Sequence, residues 1–121
     1  MRRPRRNRAK GIRIERELTK ILKEYGWKSR RLPASVIDGI ATRGERIVLF
    51  EVKATRGDHV TIPKRQVERL FEWLDLFDHY RTREAVAAIR FTKHRKWVFI
   101  LLREIKDYKI TYHHDNTWYP S

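Results

Sequence analysis

The chain has 121 residues, with 29 Lys and Arg against 15 Asp and Glu, and its formal charge of +14 is the balance of a small protein that binds a polyanion, nucleic acid first. The length fits one domain with a modest core, and the absence of cysteine excludes disulfides, zinc fingers and thiol nucleophiles. No apolar stretch approaches the roughly 20 residues of a membrane span and no secretory h-region is visible, so the expectation is a soluble, cytoplasmic, nucleoid-associated protein of cellular or viral origin without a membrane partner.

The first ten residues, MRRPRRNRAK, hold six basic side chains and no apolar run, and read as a disordered basic arm over 1–10 ahead of a single domain over 11–121. Arg2, Arg3, Arg5 and Arg6 are its candidate DNA contacts; a solvated tail without a partner is the other reading. Ile14, Leu18, Ile21, Leu22 and Tyr25 then repeat on one helical face that Gly26 ends, flanked by Glu15 and Glu17. Residues 27–32 (WKSRRL) form a first strand ended by Pro33. Residues 36–42 (VIDGIAT) and 47–54 (IVLFEVKA) form two more. With Gly44 first in a two-residue loop, opposed residues sum to 89, and Asp38 faces Glu51.

A polar connection over 55–61 leads to Pro63, which opens a second helix with the stripe Val67, Leu70, Phe71, Leu74 and Phe77, running to about Tyr80. Residues 85–91 and 97–102 are two further strands joined by a basic TKHRK turn; the first is apolar throughout, as a strand covered on both faces. The order α-β-β-β-α-β-β, with a crossover through the second helix, gives an α/β fold: a mixed sheet flanked by helices. The aromatic segment after Leu102 is unassigned, apart from a short strand at Ile110–Tyr112.

Carboxylates directly opposed on a hairpin, with Cβ atoms roughly 5 Å apart, destabilise it without a compensating cation. Mg²⁺, for which Mn²⁺ can substitute, is the simplest compensation, with Asp38, Glu51 and the Val52 carbonyl as ligands. Glu15 completes the set if the first helix packs its acidic edge over the hairpin. Lys53, on the face of Glu51, orients the attacking water or stabilises phosphoryl charge. Gln66 holds a water or phosphate, and Ser35 contacts phosphate. Each has an ordinary alternative: a surface hairpin with solvated charges, a helix-surface acid, a solvent-facing glutamine, a turn serine. The five histidines share no ligand spacing. Trp73, Leu76 and Phe77 widen the second helix's stripe, either for core packing or for a subunit interface.

Together these residues resemble the archaeal-type Holliday junction resolvases (Hjc), a branch of the PD-(D/E)xK nucleases. The resemblance covers most of residues 10–106: KGIRIER around Glu15, RLPAS before the hairpin, Asp38 with Glu51-x-Lys53, and IPKRQ opening the second helix. It implies an α-β-β-β-α-β nuclease core, a homodimer, and Mg²⁺-dependent cutting of four-way DNA junctions by paired nicks. By matching position it implicates Glu15, Asp38, Glu51 and Lys53 as catalytic, with Arg16, Arg31, Ser35 and Gln66 as supporting or phosphate-contacting residues; Arg30 is a further candidate DNA contact. Only Val36 and Ile37 separate Ser35 from Asp38, where similar proteins often carry a longer loop. Two other readings stay open: a nicking or repair nuclease of the same superfamily, and a non-catalytic basic nucleic-acid-binding module.

Overall fold

The computed structural model describes residues 5–33 and 36–121, with side chains from residue 11 onward. In chain order the elements are α1 (Arg5–Glu24), β1 (Lys28–Arg31), β2 (Gly39–Arg43), β3 (Arg46–Thr55), β4 (His59–Ile62), α2 (Lys64–Leu74), β5 (Thr82–Phe91), β6 (Lys96–Leu102) and β7 (Tyr108–Thr111). The expected order stands, with β4 added inside the segment read as a polar connection.

Helix α1 buries Ile14, Leu18 and Leu22 and ends at Gly26, whose φ of +89° suits a residue without Cβ. There the Trp27 N–H reaches the Leu22 carbonyl and the Gly26 N–H that of Lys23, both at 3.0 Å, so the last carbonyls are satisfied. At its other end α1 begins at Arg5, so residues 5–10, expected to be disordered, continue the helix. Arg2 and Arg3 lie outside the described residues.

Five strands make the main sheet in the order β1-β2-β3-β5-β6, and β4 pairs with β7 apart from it. Gly44, at φ +58°, turns β2 into β3 with Gly39 opposite Phe50 and Ile40 opposite Leu49, which is the register expected from the sum of 89. The crossover through α2 returns β5 parallel to β3, so that Glu51 lies level with Ala87 and Lys53 with Ile89.

The helices take opposite faces of this sheet. Ile47 and Leu49 of β3 pack with Val67, Leu70 and Leu74 of α2, whereas Val48, Phe50 and Val52 pack with Ile14, Leu18 and Leu22 of α1. The period-two alternation of a strand thus decides which helix each β3 side chain meets. Helix α2 stops at Leu74 and tightens into a 3-10 turn over Asp75–Phe77, short of the expected Tyr80. Pro63 offers no side-chain cap to it; Asp107 does, its Oδ1 accepting the Lys64 N–H at 2.6 Å.

The C-terminal segment, unassigned from sequence, finishes the α1 side of the core. Trp118 is buried with ring centroids 5.5–5.9 Å from those of Phe50, Phe99 and Trp27, and the Trp27 indole N–H donates to the Pro120 carbonyl. Among the described residues no helix is long and apolar enough to cross a membrane.

Candidate active site

Asp38 precedes β2 by one residue and is tied to both neighbouring strands. Its amide donates to the Phe50 carbonyl, and its own carbonyl accepts from the Leu32 amide, each at 3.0 Å. Its Oδ2 accepts the Val52 N–H at 2.8 Å. The carboxylate is therefore fixed where the hairpin opens, alongside the stretch of β3 that carries Glu51. Ile37, fully buried just before it, anchors the approach.

Glu51 is only 4% exposed, a burial that an ionised carboxylate tolerates only with partners. One is Lys53, whose Nζ lies 3.4 Å from Glu51 Oε1 and whose side chain remains 28% exposed. Both project from the face of β3 that α2 covers. Gln66 belongs to α2, and its Oε1 is buried without a hydrogen-bond partner among the described residues. An orphaned acceptor costs about 1–3 kcal/mol, so the amide is available to a group that binds there.

Glu15 sits on α1, which packs across the hairpin strands on the opposite face from Glu51. Its Oε1 accepts from Arg31 Nε at 3.3 Å, and Arg31 is level with Gly39, the residue after Asp38. Among the described residues no three His, Asp or Glu side chains stand together closely enough to hold a metal ion. The contact that the described residues give Glu15 is this ion pair with Arg31, beside the start of the hairpin that carries Asp38 and Glu51. Packing of Ile14 and Leu18 sets the rotation of α1 and directs Glu15 towards β1.

Arg16 and Arg31 line an open groove of about 540 Å³ together with Thr19, Lys20, Lys23 and Glu24. Lys20 and Lys23 went unnoticed in the sequence, although Arg13, Arg16, Lys20 and Lys23 recur at helical spacing and mark one cationic stripe. Arg30 NH1 donates to the Ser29 carbonyl at 2.9 Å. Arg5 and Arg6 fall in the first turns of α1, and Ser35 lies outside the described residues. Glu17 is a third residue the sequence left without a role. Its Oε1 accepts from Trp97 Nε1 at 2.9 Å and lies 3.6 Å from Arg90 Nε.

The model of the archaeal Holliday junction resolvase family (Hjc) matches residues 6–118. This chain belongs to that family. It is 35% identical over 111 residues to the crossover junction endodeoxyribonuclease Hje of Sulfolobus acidocaldarius, covering 87% of this chain and 78% of the relative. Hje of Saccharolobus islandicus is 30% identical over 117 residues, covering 92% and 84%. Among solved structures, Archaeoglobus fulgidus Hjc superposes with a TM-score of 0.69 at 26% identity, covering 85% of this chain and 84% of that one. The family, the mixed-sheet nuclease fold and the endonuclease class expected from the motifs all stand on these likenesses.

Proposed function

We propose that this protein is a Holliday junction resolvase, a DNA endonuclease that cuts four-way junctions by paired nicks. The observation that carries the reading is Glu51, buried beside Asp38 with Lys53 at 3.4 Å, in a chain of this family. A basic module that only bound nucleic acid has no chemical use for a buried acid and lysine at the mouth of a hairpin.

The donor set fits a hard divalent cation, since Asp38 and Glu51 offer carboxylate oxygens at adjacent points of the hairpin and the Val52 carbonyl can add a third. Mg²⁺ is the proposed ion, with Mn²⁺ as a substitute; when bound it supplies Lewis-acid polarisation of the scissile phosphate and acidifies water. Lys53 stabilises the charge that grows on the phosphoryl oxygens. Gln66 Oε1 accepts a hydrogen bond from the attacking water and helps to aim it. Glu15 joins the site by turning away from Arg31 once a DNA phosphate engages that arginine.

The groove lined by Arg16, Lys20, Lys23 and Arg31 takes one phosphate backbone; Arg30, Ser35, Arg2, Arg3, Arg5 and Arg6 are proposed as further DNA contacts. Paired nicks need two sites in fixed relation, which a two-fold homodimer provides. Trp73 and Leu76, 37% and 69% exposed on and just past α2, are the proposed apolar contact; Phe77, expected to join them, packs instead against the core.

The test is cleavage of a synthetic four-way junction by wild type and by Glu51→Gln in Mg²⁺. Cutting by the wild type alone supports the assignment; equal cutting by both overturns it.

A further inference from the structure

The turn between β5 and β6, Thr92-Lys93-His94-Arg95-Lys96, takes no part in the site described above, yet it is both strongly cationic and held rigid. Phe91, where it begins, is level with Thr55 of β3, two residues beyond Lys53, and Thr92 Oγ1 donates to the Thr55 carbonyl at 3.1 Å. The turn therefore rises from the same end of the sheet as the candidate active site. His94 Nε2 is 2.9 Å from Asp58 Oδ1, and its ring stacks on Tyr112 with centroids 3.7 Å apart and planes 5° from parallel. Lys96 Nζ donates to the Tyr112 carbonyl at 2.8 Å. The Asp58 carboxyl is held below its usual range, chiefly by its hydrogen bond to His94, so the one acid of this patch is already partnered.

Arg95 is the only non-glycine residue with positive φ among those described, at φ +50° and ψ +45°. Glycine closes such a left-handed corner at lower conformational cost, so a long cationic side chain at this position points to a use for the side chain itself. Lys93 and Arg95 are exposed, while His94 between them is half-buried as the anchor. Because the backbone of the turn is already fixed through Thr92 and His94, binding of a polyanion by its cations carries no added cost of ordering the loop.

We infer that the Thr92–Lys96 turn is a second DNA contact, in which Lys93 and Arg95 grip the phosphates of a different arm from the one in the α1–β1 groove. The sheet order β1-β2-β3-β5-β6 places the groove beside β1 and the turn beyond β5, with Asp38 at the start of β2 and Glu51 and Lys53 on β3 between them. Strands β2 and β3 separate the two surfaces, so they offer two distinct cationic seats on either side of the candidate site. Arms that diverge at a branch point supply a backbone to each. This rests on the proposed resolvase function and adds to it the feature by which branched DNA is told from linear DNA.

Lys93→Ala combined with Arg95→Gly tests it, because the glycine relieves the positive φ and leaves the fold at least as stable. Affinity for a four-way junction and for a linear duplex of equal length is measured across a salt series, with Lys20→Ala/Lys23→Ala as the comparison and thermal melting as the control for folding. The expected result is a junction affinity reduced about tenfold, a slope of log affinity against log salt lowered by about 1 to 2, and duplex affinity unchanged. The Lys20/Lys23 variant, by contrast, loses affinity for both DNAs. An unchanged junction affinity and slope, or an equal loss on duplex, overturns the inference. Wild type that neither cuts nor prefers the junction is a different result, and removes the resolvase reading itself.

Discussion

Glu17 of α1 accepts a hydrogen bond from the Trp97 indole of β6 at 2.9 Å, across 80 positions of sequence. Arg90 of β5 flanks the same oxygen at 3.6 Å, and two residues back Glu15 pairs with Arg31 of β1. Since β1 and β6 are the two edges of the main sheet, successive acids tie α1 to opposite edges and fix its rotation. Glu17→Ala releases one side of that clamp. It should cost about 1 kcal/mol in a urea melt, given the partial exposure of the carboxylate, and should slow junction cutting well below the melting temperature, because a displacement of even about 1 Å in a catalytic assembly costs up to about 100-fold. Glu17→Gln, whose amide oxygen still accepts from Trp97, should recover most of both.

Asp38→Asn and Glu51→Gln should abolish cutting in Mg²⁺ while leaving junction affinity within a few-fold, since removing a negative charge does not weaken attraction to phosphate. Asp38→Ala should behave differently in stability. It leaves the Val52 N–H without the acceptor now at 2.8 Å and should destabilise the fold by about 1–2 kcal/mol, read from denaturant midpoints.

Lys20 and Lys23 line the groove beside Arg16 and Arg31. If each contacts one phosphate, the double alanine variant lowers the salt slope of junction binding by about 2, and binding titrations at a series of salt concentrations read this directly. An unchanged slope would mean that the backbone passes elsewhere.

Trp73→Glu or Leu76→Glu places a charge in the proposed homodimer contact without touching the buried side of α2, which is formed by Val67, Leu70 and Leu74. Light scattering should show wild type at twice 14.8 kDa and the variants at 14.8 kDa, with coordinated double nicking lost. A wild type of monomer mass contradicts the dimer.

The parts of this fold legible in the sequence were those written locally. Gly44 set a two-residue loop, and the loop alone fixed the hairpin register that brings Asp38 to the stretch bearing Glu51. The stripe Ile14, Leu18, Leu22 and the stop at Gly26 likewise sufficed for α1. What escaped depends on partners far along the chain. Residues His59–Ile62 become a strand only because Tyr108–Thr111 pair with them, and Trp118 reads as a tail residue until Phe50, Phe99 and Trp27 surround it. The site shows the same division: Glu51 and Lys53 share a face by strand periodicity, whereas the pairing of Glu15 with Arg31 joins two elements 16 residues apart, and nothing in the helical stripe names that partner.

The central claim is selective cutting of branched DNA by the site at Asp38, Glu51 and Lys53, and the most direct measurement is single-turnover cleavage of a four-way junction against a linear duplex of the same sequence, at matched salt in Mg²⁺. Symmetric paired nicks in the junction, with the duplex left intact and both products lost in Glu51→Gln, are the expected result. Equal cutting of junction and duplex, or a junction left uncut by the wild type, contradicts the account.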